Sequence, residues 1–149
     1  MVLNALYHYS LFAGIDKNLT PVKPVKEIKE EPEQLKILIS FMKTEKPYRD
    51  DRLTLQKLAE QMNMSEKQLS QLINQHTGKH FFDFTNEFRI NDAKVLLKEN
   101  LQLTVLEILY EVGFNSKSSF YTAFKKETNQ TLTDYIKSVS LLMSGFKSD

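Results

Sequence analysis

The chain has 149 residues, is 41% hydrophobic, carries a formal charge of +1 and contains no cysteine. Such a length suits one ordinary domain with a tail, and the missing cysteines exclude disulfides and thiolate metal sites and favour a cytoplasmic setting. Only four glycines and four prolines argue against a turn-rich sandwich or barrel, and with thirteen basic and thirteen acidic residues after position 46, any case for nucleic acid must rest on arrangement rather than bulk charge.

Residues 1–15, MVLNALYHYSLFAGI, are apolar and aromatic. The run is shorter than the roughly 20 residues a membrane-spanning helix needs. It also lacks the basic start and small-residue cleavage site of a signal peptide. Residues 17–33 place three prolines among mixed charges and read as an extended linker. From about Gln34 the pattern becomes helical, with LKILISFM at 35–42 stepping by three and four until Pro47 closes the segment. Thr54 is the predicted cap of a helix carrying Leu55, Leu58, Ala59 and Met62 on one face. Ser65 and Gln68 stand at capping-box spacing for the next helix, which Gly78 stops. Residues 81–100 form a long amphipathic helix. Thr104 caps another, a further helix runs from about Ser116 to Thr128, and residues 131–143 form the last, with Thr131 and Asp134 at capping-box spacing.

Self-similarity gives these helices an order. Leu53-Thr54 recurs as Leu103-Thr104, and Ala59 and Asn63 align with Leu109 and Gly113. Leu69, Thr77-Gly78 and Phe84 then align with Phe120, Thr128-Asn129 and Tyr135 after one inserted residue. A small residue, a turn residue tolerant of positive φ and an apolar anchor in this order are the pattern of a helix–turn–helix. Leu109 is bulky where Ala59 is small, which implies a wider crossing in the second copy. The expected fold is all-α, with six to seven helices. Its organisation is an N-terminal segment and linker at 1–33, a helical domain at 34–143 and a tail at 144–149. Within the domain, the first helix–turn–helix lies at about 53–78, a linker helix at about 81–98 and the second helix–turn–helix at about 103–128.

Residues 48–137 resemble the AraC/XylS-type DNA-binding domain. Ile108, Val112-Gly113-Phe114, Ser118, Phe120, Phe124-Lys125-Lys126 and Tyr135 carry most of the likeness. The stretch from Gly78 through Phe84, Arg89-Ile90, Ala93 and Leu96-Leu97 looks like that family's linker helix. Asn129, Leu132 and Ile136 stand where the family usually has Gly, Pro and Arg. Asn can take the left-handed conformation, so the turn survives. The loss of Arg at 136 removes one phosphate or structural contact.

The resemblance implies two homeodomain-like units whose second helices read adjacent major-groove segments of duplex DNA, about 34–36 Å apart. In the first unit it points to Lys67, Gln68, Ser70, Gln71 and Asn74 as outward residues of the recognition helix. Gln71 or Asn74 suits adenine, and Lys67 suits guanine or phosphate. In the second unit it points to Lys117, Ser118, Tyr121 and Thr122 near bases, with Lys125 and Lys126 on phosphates. Helix-start amides near Ser65 and Ser116 can also hold phosphate. Arg89 reads as a buried ion-pair partner, with Glu107, Glu111 and Asp134 as candidate acids.

The implied role is a bacterial transcription regulator, an activator touching RNA polymerase, and the implied place is the cytoplasm. The rival reading is an all-helical protein-interaction module that has lost DNA binding. The aromatic start and charged linker look like the end of a membrane span, which would make the chain the cytoplasmic part of a larger membrane-associated or sensor protein. The alternative is a free-standing two-unit regulator. His76 and His80 stand four apart, but Gly78 breaks the face between them, so no metal is expected. No nucleophile–base motif or phosphate-cradling loop is present, so the sequence reads as a non-enzyme with no cofactor and no small-molecule site.

Overall fold

Hydroxyl side chains set the starts of most helices. The structure, a computed structural model, describes residues 32–100 and 102–145. The apolar start, the linker up to residue 31 and the tail from 146 lie outside the described residues. Seven helices follow one another, with no strand among the described residues: α1 (Glu33–Thr44), α2 (Leu55–Gln61), α3 (Glu66–Thr77), α4 (Phe81–Glu99), α5 (Val105–Glu111), α6 (Lys117–Thr128) and α7 (Leu132–Gly145). A single 3-10 turn, Pro47–Arg49, lies between α1 and α2. The last helix extends to Gly145, two residues past the end expected from the pattern.

The first free N–H groups of each helix need an acceptor. Thr54 accepts from the Lys57 N–H at 3.2 Å. Ser65 and Gln68 form a reciprocal capping box on α3, as do Thr104 and Glu107 on α5. Ser116 accepts from the Ser119 N–H, and Thr131 from that of Asp134. Helix ends follow equally local chemistry. Gly78 and Asn129 close α3 and α6 in the left-handed conformation, at φ 68° and 55°. The two internal turns use Asn63 at φ 54° and Gly113 at φ 95°.

Apolar periodicity then makes two cores. The first joins Leu35, Leu38 and Met42 of α1 to Leu58 and Ala59 of α2, Leu69, Leu72 and Ile73 of α3, and Phe81 and Phe84 of α4. The second joins Ile90 and Ala93 of α4 to Ile108 and Leu109 of α5, Phe120, Ala123 and Phe124 of α6, and Leu132 of α7. Full burial of a Leu, Ile or Phe contributes about 1.5–3 kcal/mol, so each core holds its own helices. In the second, the rings come from α6 itself and from the turn before it. Phe114 packs edge-on to Phe120 at 5.2 Å between centroids, and Phe124 to Tyr135 at 5.3 Å. Helix α4 feeds both cores with successive stretches of its length, and α3 and α6 both pack on it.

Candidate nucleic-acid interface

Helices α3 and α6 are copies in register. Each has twelve residues and each begins at a serine cap. The buried positions of α3 are Leu69, Leu72 and Ile73; those of α6 are Phe120, Ala123 and Phe124, each 51 places later. With one face fixed by this i, i+3, i+4 burial, the opposite face follows from the helical period. On α3 it carries Lys67, Ser70, Gln71 and Asn74; at the same positions on α6 it carries Ser118, Tyr121, Thr122 and Lys125, all of them exposed. Lys117, one place into α6, is exposed as well.

Among the described residues, none of these nine side chains donates to or accepts from another group of the chain. They form two unpaired polar ridges of amide, hydroxyl, phenol and ammonium groups. Tyr121 lies 44% exposed, with its ring edge-on to Phe120. Its hydroxyl end is thus presented outward on a ring held from behind.

Three of the residues singled out by sequence have other commitments. Gln68 turns its amide oxygen back to accept from the Ser65 N–H at 3.0 Å. Ser116 uses its hydroxyl oxygen on the Ser119 N–H at 3.2 Å and meets the Ser119 hydroxyl at 2.9 Å. Lys126 is ion-paired to Asp83 at the start of α4. Its side chain remains 61% exposed, and an exposed pair of this kind is worth at most about 1 kcal/mol, so another anion can displace it. Lys79 adds a second tie between the same elements, meeting Glu87 of α4 at 3.0 Å and Glu127 of α6 at 3.5 Å.

A polar seam that sequence reasoning missed lies where the 3-10 turn meets α4 and the second unit. Asp92 is buried on α4 and gathers three donors: Arg49 Nε at 2.8 Å, the Tyr48 hydroxyl at 3.2 Å and Lys46 Nζ at 3.4 Å. Arg49 also donates through Nη1 to Glu111, at the end of α5, at 2.7 Å. Burial works to raise the Asp92 carboxyl, but the Arg49 hydrogen bond and charge, with Lys46 and Tyr48, hold it below the usual carboxylate range. Burial, then the charge of Asp92, pushes the Tyr48 phenol up to about 12. Hydrogen bonding to Asp92 raises the Arg49 guanidinium despite partial burial.

Arg89 is corrected here. It is buried, as expected, but its partners are carbonyls rather than acids. Nε donates to the Tyr48 carbonyl at 2.7 Å and Nη2 to that of Asp50 at 3.0 Å, and the guanidinium lies 5.5 Å from the centre of the Phe114 ring. Glu107, Glu111 and Asp134 are held by Thr104, Arg49 and Thr131. Burial lowers the Arg89 pKa. Asp50, before α2, accepts from the Arg52 N–H and meets Lys57 at 3.6 Å. His76 lies in the last turn of α3 and His80 at the N-cap position of α4, where its side chain makes no capping bond, on either side of left-handed Gly78. Among the described residues, no group of three His, Cys, Asp or Glu side chains could hold a metal ion.

A helix-turn-helix domain family model, of the AraC type, matches residues 58–138. The chain belongs to the AraC-type helix-turn-helix family. A transcriptional regulator of Rhizobium meliloti, GlxA, is 36% identical over 81 residues, which make up 54% of this chain and 24% of that protein. This AraC-type chain therefore spans about a quarter of the length of that relative. Two solved structures share its fold. One is the C-terminal domain of AraT, a response regulator from Geobacillus stearothermophilus, with a TM-score of 0.63 and 28% identity over 73% of this chain and 88% of that one. The other is the C-terminal domain of the two-component response regulator yesN from Fusobacterium nucleatum, at 0.60 and 30% over 70% and 99%. Among the described residues, no helix of this AraC-type chain is long and apolar enough to cross a membrane.

Proposed function

We propose that this chain is a DNA-binding part of a transcription regulator, and that α3 and α6 enter two adjacent major-groove segments of one duplex. The observation that carries the reading is the register of the two helices: the same helical positions are buried on each, and the same positions are left polar and unpaired. An exposed helix face without internal partners suits base edges, because amide, hydroxyl and ammonium groups can pair there. Gln71 and Asn74 have the fork for adenine; Lys67 suits guanine or phosphate. Ser118, Tyr121 and Thr122 contact bases and thymine methyls. Lys117 lies with them near the bases, Lys125 meets a phosphate, and Lys126 does the same by exchanging Asp83 for a backbone phosphate.

A regulator of this kind works on the bacterial chromosome, hence in the cytoplasm. Polymerase contact and an upstream sensor region belong to the same reading. The near-neutral charge favours binding in which local cations and base contacts, rather than a general positive field, do the selecting. Selection from a randomised duplex pool tests it. The expected result is an enriched site with two half-motifs about one helical turn apart, whose affinity falls steeply with salt. A pool that stays unenriched overturns the reading.

A further inference from the structure

The 3-10 turn, from the first unit, lies against α4 and against the turn of the second helix–turn–helix. A Cβ built on Gly113 would come within 2.2 Å of the Tyr48 carbonyl oxygen and 3.0 Å of Arg49 backbone carbon. Here the two backbones touch. Arg49 bridges the same gap with its fork, one branch on Asp92 and one on Glu111. Arg89 closes it from beneath, bound to the Tyr48 and Asp50 carbonyls and facing Phe114. Every charged group facing Asp92 across this junction is cationic: Lys46 and Arg49. None of these residues lies on the polar ridges of α3 or α6.

We infer that Asp92 and Arg49 are positioning residues that fix the spacing and rotation between α3 and α6, and so decide which half-motif separation the chain accepts. The inference rests on the two-helix DNA reading above. Its physical basis is effective concentration. Two modules held rigidly at one separation bind a matching pair of sites with an avidity that a mismatched pair forfeits, whereas a loose pair binds many separations, each more weakly. A base pair inserted between half-motifs moves one site by about 3.4 Å and turns it by about 35°. An intact seam cannot follow such a change; a broken one can.

The test compares the whole chain with its Asp92→Asn and Glu111→Gln variants on the selected duplex. Matched duplexes carry insertions of about one, two and five base pairs between the half-motifs, and one carries a single half-motif. For the wild type, affinity drops by about 100-fold on an insertion of about half a turn. For Asp92→Asn, affinity for the uninterrupted site falls by about tenfold, the single half-motif is bound as by the wild type, and the insertions are discriminated by less than about threefold. Glu111→Gln, which takes the charge from the exposed branch alone, lies between them and carries the test if Asp92→Asn fails to show native helical circular dichroism.

A second readout needs no DNA. The chain has no cysteine, so Gln75→Cys with Ser118→Cys places one spin label on each helix. The electron–electron distance distribution is expected to be narrow in the otherwise native chain and broad with Asp92→Asn or Glu111→Gln. Spacing profiles and distance distributions that coincide between variants and wild type overturn the inference. A wild-type chain that enriches no duplex overturns the proposed function instead, and the distance measurement still decides the seam.

Discussion

The two helix–turn–helix units follow the same local plan but differ at their turns. In the first, Asn63 takes φ 54° with its side chain in solvent. In the second, Gly113 takes φ 95° with the Tyr48 carbonyl where a side chain would begin. The left-handed turn needs only tolerance of positive φ, which Asn supplies as well as Gly. Close approach of another backbone needs the absence of a side chain, which only Gly supplies. The first turn therefore serves its own unit alone, whereas the second also forms the seam. The cores differ in where their rings come from: in the first, Phe81 and Phe84 lie on α4 while α3 buries Leu69, Leu72 and Ile73, whereas in the second α6 itself buries Phe120 and Phe124.

Core truncation probes the difference most strongly. Phe120→Ala is expected to cost about 3–5 kcal/mol, and Leu69→Ala about 2–4, in denaturant unfolding. A larger loss at Leu69 would contradict the expectation that the aromatic anchor of α6 is the costlier of the two to truncate. Next come the turns. Gly113→Ala should destabilise by about 2–4 kcal/mol, because the strain at positive φ adds to the clash. Asn63→Gly should stay within about 0.5 kcal/mol of wild type. Equal effects at the two turns would remove the asymmetry.

The two ridges differ in what they are expected to read. Gln71→Ala should cost about 1–3 kcal/mol at one base pair and relax the preference there, while Lys125→Ala should weaken all duplexes alike and lower the salt slope by about 1. Unchanged binding for both would mean that the ridges face away from the DNA. The caps should differ less. Ser65 belongs to a reciprocal box and Ser116 does not, so Ser65→Ala should lose about 1 kcal/mol and Ser116→Ala somewhat less, by thermal unfolding.

The smallest expected change is in the pH dependence: the seam's contribution is whole near neutral pH and is lost towards either extreme. The Asp92 carboxyl is depressed in the folded chain. Its contribution is therefore present above the unfolded carboxylate range, near 3.9, and is lost as pH falls through the lower folded value. The Tyr48 phenol is raised to about 12, so its contribution is present below about 10 and is lost as pH rises towards the folded value. Asp50 and Glu107 are lowered too, by the Arg52 and Thr104 backbone hydrogen bonds. Comparison with Asp92→Asn isolates the seam: the variant should show a flatter acid limb in denaturant midpoints recorded from pH 6 downward.

Local chemistry was legible in the sequence. Thr54, Ser65, Thr104 and Ser116 announce helix starts because a hydroxyl accepts from an N–H three residues on, and Asn63, Gly78, Gly113 and Asn129 announce turns because few other residues tolerate positive φ. The buried phase of α3 and α6, and with it the polar ridges, followed from spacing. The seam was not legible, because Arg49 and Asp92 are 43 positions apart and no local rule pairs them. One signal was present: Arg89 and Asp92 continue the stripe of Phe81, Phe84 and Thr85 at helical spacing, and charged groups on an apolar stripe require a partner from elsewhere in the fold. Gln68 shows the complementary limit. A residue on an exposed recognition helix has two possible roles, and only the geometry shows that its amide is spent on the cap.

Site-specific photo-crosslinking tests the central claim most directly. A photoreactive side chain placed at Gln71 in one protein and at Tyr121 in another, each bound to the same selected duplex, should give adducts on one face of the DNA, in two major-groove segments about 34–36 Å apart. Adducts from both positions in a single half-motif, or from neither, would contradict it.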